Sequence, residues 1–372
     1  MNEPVAQTES SEKKPSFLLL KALIFPVLVV PALVVTLLVI RGNEAEQLYY
    51  RAMDAADRGD FAAAASYFER ASNLGHAQSA YNLALLYREG IIESPDRQKQ
   101  TLTFLHKAAD NGSLDAEYEL GRIAEKSTPP NYEQAAMHYD KAARGEHPEG
   151  LFALARLYEK GLGLQKSSRL AANFYEKAAG KGHTEAHVAL AKLYMSDDPE
   201  LKNPAGAEQH LLAAAEKNHP RACNMLGYFY EHRSNSASDR QLAGEYYYKA
   251  AQLNDPDGMV NHGDYLIAAG QTQLAFNFYK QAAERHRFAP AQHRLGLHYV
   301  KLSTPDYIRA REYFELAAEA GYAASWVNLG IMAEKGLGGE VDLARAKMCY
   351  SKAAQKGHAE GKKLLEKLSK QQ

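Results

Sequence analysis

The sequence of 372 residues has little cysteine, a single tryptophan and no excess of charge of either sign. Its 2 cysteines exclude a disulfide framework and a zinc site made of four thiolates. Lys and Arg total 44 against 45 Asp and Glu, so the formal net charge of −1 gives no overall attraction to nucleic acid or to an anionic lipid surface. No segment alternates apolar and polar residues for long enough to predict a β-sheet.

Apolar residues and tyrosine are plentiful. Hydrophobic residues make up 46% of the chain, which is enough for a large core and excludes wholesale disorder. The chain also contains 23 tyrosines. So many tyrosines in a chain of this length indicate that one local pattern has been copied several times.

The longest apolar run, FLLLKALIFPVLVVPALVVTLLVI, occupies residues 17–40 and contains one charge, Lys21. Its uncharged part, residues 22–40, would span about 28 Å as a helix, close to the thickness of a bilayer core of about 30 Å. We therefore expect a disordered tail at 1–16, a transmembrane helix at 17–40 and a repeat domain at 41–372. The alternative is a cleaved signal peptide, but the run is longer than a typical signal sequence and no small-residue cleavage site follows it.

Positive charges near this run predict its orientation. Lys13, Lys14 and Lys21 precede the uncharged part, whereas Arg41 is the nearest basic residue after it. The bias favours a cytoplasmic N-terminus. The expected protein is thus a single-pass inner-membrane protein whose repeat domain lies in the periplasm or another extracytoplasmic space.

The rest of the chain repeats the string K-A-A-x-x-G in more or less altered form. Taking the first alanine of each copy as an anchor, successive anchors lie 32 to 37 residues apart. The residue seven before the anchor is Ala in eight of nine copies, and the residue three before it is aromatic in seven of nine. The nine anchors are Ala71, Ala108, Ala142, Ala178, Ala214, Ala250, Ala282, Ala317 and Ala353.

These spacings of four and three put the two alanines and the aromatic residue on one face of a helix, here called helix B. A second apolar helix, helix A, precedes each helix B and often carries Leu-Gly or Leu-Ala. One A/B pair cannot bury its apolar face alone, but stacked pairs can. We expect an all-α, right-handed α-solenoid of about nine pairs with a Lys-rich C-terminal capping helix. The expected helices are 44–57/60–74, 77–89/96–111, 114–126/130–144, 148–160/167–180, 184–195/203–217, 220–232/239–253, 256–269/271–285, 290–301/305–320, 323–335/341–356 and 359–370.

Two stretches carry a family resemblance. The sequence Y-E-K-G-L-G at 158–163, followed by A-A-N-F-Y-E-K-A-A-G-K-G-H at 171–183, resembles the Sel1-like repeat, a relative of the tetratricopeptide repeat. E-K-G-L-G at 334–338, followed by Y-S-K-A-A-Q-K-G-H at 350–358, does so as well. The resemblance implies a non-enzymatic scaffold that binds proteins. It also suggests bacterial cell-envelope assembly or exopolysaccharide secretion, which several exported or membrane-anchored members serve.

Features that suggest chemistry have structural explanations. The two G-L-G loops lack the preceding strand of a nucleotide-binding loop, so we expect their glycines to end helices. Cys223 and Cys349 lie in distant repeats and are expected to be buried free thiols.

Histidines five residues after an anchor lie in different repeats, too far apart to share one metal ion, and we expect them at turns and helix starts. These are His76, His147, His183, His219 and His358. No metal, cofactor or catalytic residue is predicted.

The positions that would face a groove give the candidate site. In tetratricopeptide units the inner wall comes mostly from helix A, and this register yields aromatic and basic residues in the middle repeats. Such a stripe could bind partner proteins or, alternatively, an acidic peptide or anionic polysaccharide. The competing interpretation is ordinary surface pairing of Arg122 with Glu125 and of Arg156 with Glu159. A third hypothesis, an enzyme acting on β-lactams or peptidoglycan, has no residue in its favour. The candidate groove residues are Tyr118, Arg122, Phe152, Arg156, Lys192, Asn224 and Tyr228.

Overall fold

The protein is described by a computed structural model over residues 38–234 and 236–370. These residues form nineteen α-helices and no β-strand, which confirms the all-α prediction. The expected tail and nearly all of the expected membrane segment lie outside the described residues. Residues 38–40 are exposed and open a helix that runs to 57. Among the described helices, none combines the length and the apolar character needed to cross a bilayer.

The helices divide between two compact units, with the boundary between Ser167 and Ser168. From the second helix onward, every expected helix end lies within two residues of the observed one. The N-terminal unit contains α1 (38–57), α2 (Phe61–Asn73), α3 (Ala77–Arg88), α4 (Arg97–Asp110), α5 (Leu114–Lys126), α6 (Tyr132–Arg144) and α7 (Pro148–Lys160). The C-terminal unit contains α8 (Ser168–Gly180), α9 (Thr184–Tyr194), α10 (Pro204–Glu216), α11 (Pro220–Arg233), α12 (Ala237–Gln252), α13 (Pro256–Ala268), α14 (Thr272–His286), α15 (Ala289–Val300), α16 (Tyr307–Glu319), α17 (Ala323–Lys335), α18 (Leu343–Gln355) and α19 (Ala359–Ser369).

Within each unit the helices pack mainly against their neighbours in sequence, as expected for a solenoid. The even-numbered helices are the helices B, and their predicted face is the buried one. All nine anchor alanines are fully buried, and the residues three and seven positions before them are buried too. Helix α19 packs on α18 and α17, as expected for a capping helix.

A glycine of helix A lies against the aromatic ring of helix B in five repeats. A methyl group added at Gly227 would lie 2.4 Å from Cδ1 of Tyr247, well inside van der Waals contact. Two repeats that carry alanine at this glycine position, Ala84 and Ala191, have leucine in place of the ring. The repeat with Ala155 at this position nevertheless carries Tyr175, so glycine accompanies the ring in five repeats but not in every one. The five pairs are Gly121 with Tyr139, Gly227 with Tyr247, Gly263 with Tyr279, Gly296 with Phe314 and Gly330 with Tyr350.

Small residues also allow one repeat to approach the next. The anchor Ala142 lies so close to Gly150 at the start of the following helix A that a methyl group there would be 2.6 Å from the alanine Cβ. Ala250 with Gly258 and Ala353 with Gly361 repeat this contact. The small anchor residue therefore faces the next repeat.

The recurring histidines start the following helices A. In each of the five, ring Nδ1 accepts the backbone N–H of the residue three positions later, the geometry of an N-cap. Nε2 then carries the proton, and it contacts Asp115 at 3.1 Å from His147 and Glu185 at 2.7 Å from His219. The helix-start prediction is confirmed, and the described residues contain no group of three or more His, Cys, Asp or Glu placed to hold a metal ion.

Two further structural predictions are also confirmed. Cys223 and Cys349 are buried free thiols. In the G-L-G loops, Gly161 (φ 70°) and Gly336 (φ 64°) adopt the left-handed conformation that ends α7 and α17.

We expect Gly227→Ala to destabilise the protein by about 1–3 kcal/mol, because its methyl group overlaps the Tyr247 ring. Gly180→Ala is the matched control: no atom lies within 4 Å of its added methyl group, so stability should stay level or rise by up to about 1 kcal/mol. Adding Tyr247→Leu to Gly227→Ala should cost less than the sum of the single changes, because it recreates the combination of Ala191 with Leu211. Urea unfolding followed by circular dichroism measures all four variants; strict additivity would contradict the packing argument.

Candidate partner-binding groove

Four of the seven candidate groove residues line one cavity in the N-terminal unit, here called the groove pocket. Tyr118 and Arg122 come from α5, and Phe152 and Arg156 come from α7. The cavity has a volume of about 370 Å³ and is completed by Glu125, Lys126, Tyr132, Tyr139 and Ala153. These four residues, which were chosen from the helix-A positions that face the groove in tetratricopeptide units, therefore do lie together.

Both arginines of the groove pocket are paired with glutamates, but not in the pattern that spacing suggested. Arg122 donates to Glu119 at 2.8 Å, and Glu119 also pairs with Arg88 of the previous helix A at 3.1 Å. Arg156 donates to Oε1 of Glu125 on the previous helix A at 2.6 Å. Two of these pairs therefore join successive repeats, and each arginine of the groove pocket has a carboxylate partner.

Glu125 links the groove to the core, because it also accepts a hydrogen bond from the Tyr139 hydroxyl at 2.9 Å. Burial, and after it the charge of Glu125, raises the pKa of Tyr139 far above its usual value, so the hydroxyl remains a donor. Tyr118 lies over this region, with its ring 5.8 Å from that of Tyr139 and 5.8 Å from the Arg122 guanidinium carbon. The pocket thus has an aromatic wall and a hydrogen-bonded polar floor.

The other three candidates belong to the C-terminal unit. Lys192 is exposed on α9. Asn224 on α11 accepts a hydrogen bond from Asn261 of the next helix A at 2.8 Å. Tyr228 is 51% exposed, and its ring lies 4.1 Å from that of His232.

A second cavity, of about 510 Å³ in the C-terminal unit, was not foreseen from the sequence. Its floor repeats the arrangement of the groove pocket: Tyr279 donates to Asp264 at 2.6 Å, and Arg294 of the next helix A donates to the same carboxylate at 2.7 and 2.8 Å. Its rim is more apolar and includes Ile267, Leu297 and Leu302. The signal available in the sequence was a buried tyrosine of helix B, whose hydroxyl needs an acceptor, and an acidic residue, Asp264, on the preceding helix A.

His293 on α15, a helix A of the C-terminal unit, is a core histidine. It is 5% exposed, and its Nδ1 lies 2.8 Å from the Ser325 hydroxyl. Burial, helped by the positive charges of Arg294 and His358, lowers the pKa of His293 to about 4. The ring is therefore neutral at pH 7, and this position presents no cation to the groove.

Comparison with known families decides what this arrangement is. The sequence profile of the Sel1 repeat matches nine segments: 45–76, 77–113, 114–147, 148–183, 184–219, 220–255, 256–286, 289–322 and 327–358. The chain belongs to the Sel1 repeat family. Every segment begins within helix A or at its first residue, and every segment except 256–286 ends at the N-cap of the following helix A. Sel1 repeat solenoids are typically scaffolds for protein interaction.

Two solved structures show the same fold. A protective antigen of uropathogenic Escherichia coli strains is 24% identical with a TM-score of 0.66, over 81% of this chain and 66% of that one. A Sel1 repeat protein from Oxalobacter formigenes is 23% identical with a TM-score of 0.63, over 82% of this chain and 89% of that one. At these identities the likeness concerns the fold alone.

A curated relative is DAP3-binding cell death enhancer 1 of Rattus norvegicus, which is 31% identical over 29% of this chain. The chain spans only 29% of the length of that relative. The likeness therefore covers a group of repeats and does not extend to the whole rat protein.

The buried neutral His293 predicts that stability falls in mild acid. Its folded pKa of about 4 lies below the unfolded value of about 6.5, so the unfolded chain binds the proton more readily. The contribution of the neutral His293 ring to the free energy of unfolding is complete above pH 6.5. It is lost as the pH falls toward 4, by up to about 3 kcal/mol. Urea unfolding between pH 7.5 and 4.5 should show a shallower decline for His293→Gln than for the parent chain. The exposed His232→Gln should follow the parent, and equal slopes for all three would refute the assignment.

Proposed function

We propose that the chain is a non-enzymatic scaffold whose repeats bind partner proteins, with the groove pocket as one contact site. The observation that carries this proposal is the convergence of Tyr118, Phe152, Arg122 and Arg156 on one cavity. Tyr and Arg are enriched among the residues that dominate affinity at protein interfaces. The rat relative, which its name describes as a protein that binds another protein, supports the same class of function.

The ion pairs of the groove pocket favour a protein over an anionic polysaccharide as partner. Arg122 and Arg156 are held by Glu119 and Glu125, so a uniformly anionic polymer would meet two carboxylates along with the two guanidinium groups. A protein segment can offer apolar, cationic and anionic groups together. It can therefore fill an aromatic pocket while leaving these ion pairs intact.

We further propose that residues 17–40 anchor the scaffold in the inner membrane of a bacterium, with the N-terminus in the cytoplasm and residues 41–372 on the other side. The support is the uncharged stretch 22–40 and the lysines that precede it. A tethered scaffold in this place would serve cell-envelope assembly or exopolysaccharide secretion.

Site-specific photocross-linking tests the groove. A benzoylphenylalanine placed at Phe152 of the full chain in native membranes should give a discrete protein adduct. The same probe at Met137, an exposed residue of α6 in the same unit, should give at least five-fold less. Tyr118→Ala should weaken the Phe152 adduct, because it removes part of the pocket wall. A carbohydrate-positive adduct sensitive to a uronate lyase would favour the polysaccharide alternative, and equal labelling at both positions would refute the groove.

Membrane anchoring has its own test. Alkaline phosphatase fused after Gln372 should be active and should sediment with membranes resistant to carbonate extraction. Deletion of residues 17–40 should abolish both properties. An inactive phosphatase fusion, together with activity of a cytoplasmic reporter enzyme fused at the same position, would overturn the proposed orientation.

A further inference from the structure

Two histidines of the C-terminal unit face each other across neighbouring helices. His187 on α9 and His210 on α10 place their Nδ1 atoms 2.9 Å apart, and their ring centroids are 5.2 Å apart. Both side chains are half-buried, so the pair can be reached from solvent. The ring of Tyr194 lies 5.9 Å from that of His210 and forms one side of the site.

This contact differs from the other histidine contacts of the described chain. The helix-capping histidines use Nδ1 to accept a backbone N–H, as His219 does from Ala222 at 3.3 Å. His138 directs Nδ1 to Glu117 at 2.6 Å, and His293 directs it to Ser325 at 2.8 Å. His187 and His210 instead form a pair in which two imidazole nitrogens meet each other.

Both rings are held in the form that binds metals. Burial lowers the pKa of His187, and the positive charges of His210, Lys217 and His183 act in the same direction. Burial also lowers the pKa of His210, against the charge of Glu176, which favours a cation there. Each ring is therefore a free base at neutral pH, and moving its proton to Nε2 leaves the Nδ1 lone pair available.

The separation of the two nitrogens matches two adjacent positions of a metal coordination sphere. With metal–nitrogen bonds of about 2.05 Å, nitrogens 2.9 Å apart subtend an angle of about 90° at the ion. That angle belongs to tetragonal coordination, which Cu²⁺ and Ni²⁺ prefer, whereas tetrahedral Zn²⁺ needs a wider angle.

We propose that His187 and His210 form a two-histidine binding site for a tetragonal divalent metal ion, Cu²⁺ before Ni²⁺. Both Nδ1 atoms are ligands, and water fills the remaining positions, since no group of three or more His, Cys, Asp or Glu residues is placed to hold a metal ion among the described residues. Imidazole is a favoured ligand for both ions, and Cu²⁺ has the highest affinity in the divalent series. The site does not depend on the proposed groove function.

Electron paramagnetic resonance tests the site with Cu²⁺ as the probe. The purified full chain with one equivalent of Cu²⁺ should show hyperfine coupling to two equatorial nitrogens, and uniform labelling of its histidines with ¹⁵N should change that pattern. Because this measurement uses the parent sequence, it does not depend on the folding of a variant. Coupling to no histidine nitrogen, or to one, would refute the proposal.

Titration of Cu²⁺ locates the ligands. His187→Gln and His210→Gln should each lower the affinity at least ten-fold, because each removes one of two ligands. His298→Gln, in the same unit but on α15, is the matched control and should bind as the parent does. If both site variants keep the parent affinity, the Cu²⁺ ligands lie elsewhere and the assignment is wrong.

Discussion

In five repeats the packing of helix A on helix B depends on a close contact between a glycine and an aromatic ring. At Gly121, Gly227 and Gly330 the backbone of helix A lies so near a tyrosine ring that one methyl group would overlap it. The ring gains a flat surface to pack against, and its burial contributes hydrophobic free energy that neither helix could obtain alone. The abundance of tyrosine and the recurrence of Leu-Gly are two aspects of this one contact.

The same contact shapes the groove. A tyrosine ring buried against a glycine carries a hydroxyl that requires a hydrogen-bond acceptor. In four repeats that acceptor is an acidic side chain of helix A: Glu125, Glu231, Asp264 or Glu334. At Glu125 and Asp264 the carboxylate also binds an arginine of the following repeat. Core packing thus determines where these groove carboxylates stand, and Arg156 of the apparent basic stripe neutralises one that the core requires.

The predictable part of the structure is the part set by local spacing. The alanine and aromatic positions of helix B follow from periodicity, and the cap positions follow from their fixed distance to the anchor. The partners of Arg122 and Arg156 could not be inferred in this way. Spacing along one helix offered Glu125 and Glu159, whereas the stacking of helices α5 and α7 brings Glu125 to Arg156 instead. His187 and His210 are 23 positions apart; the repeat pattern predicts that α9 pairs with α10, but no motif signals that these two side chains meet.

The boundary between repeats has a consequence for how such chains change length. Ala142 with Gly150, Ala250 with Gly258 and Ala353 with Gly361 make chemically equivalent junctions. Duplication or loss of one whole period of 32 to 37 residues therefore recreates an existing junction on both sides. An insertion of a few residues inside a helix would instead misalign the glycine with its ring. Recombination can thus lengthen or shorten the array in whole repeats, and the binding surface can diversify without redesign of the core.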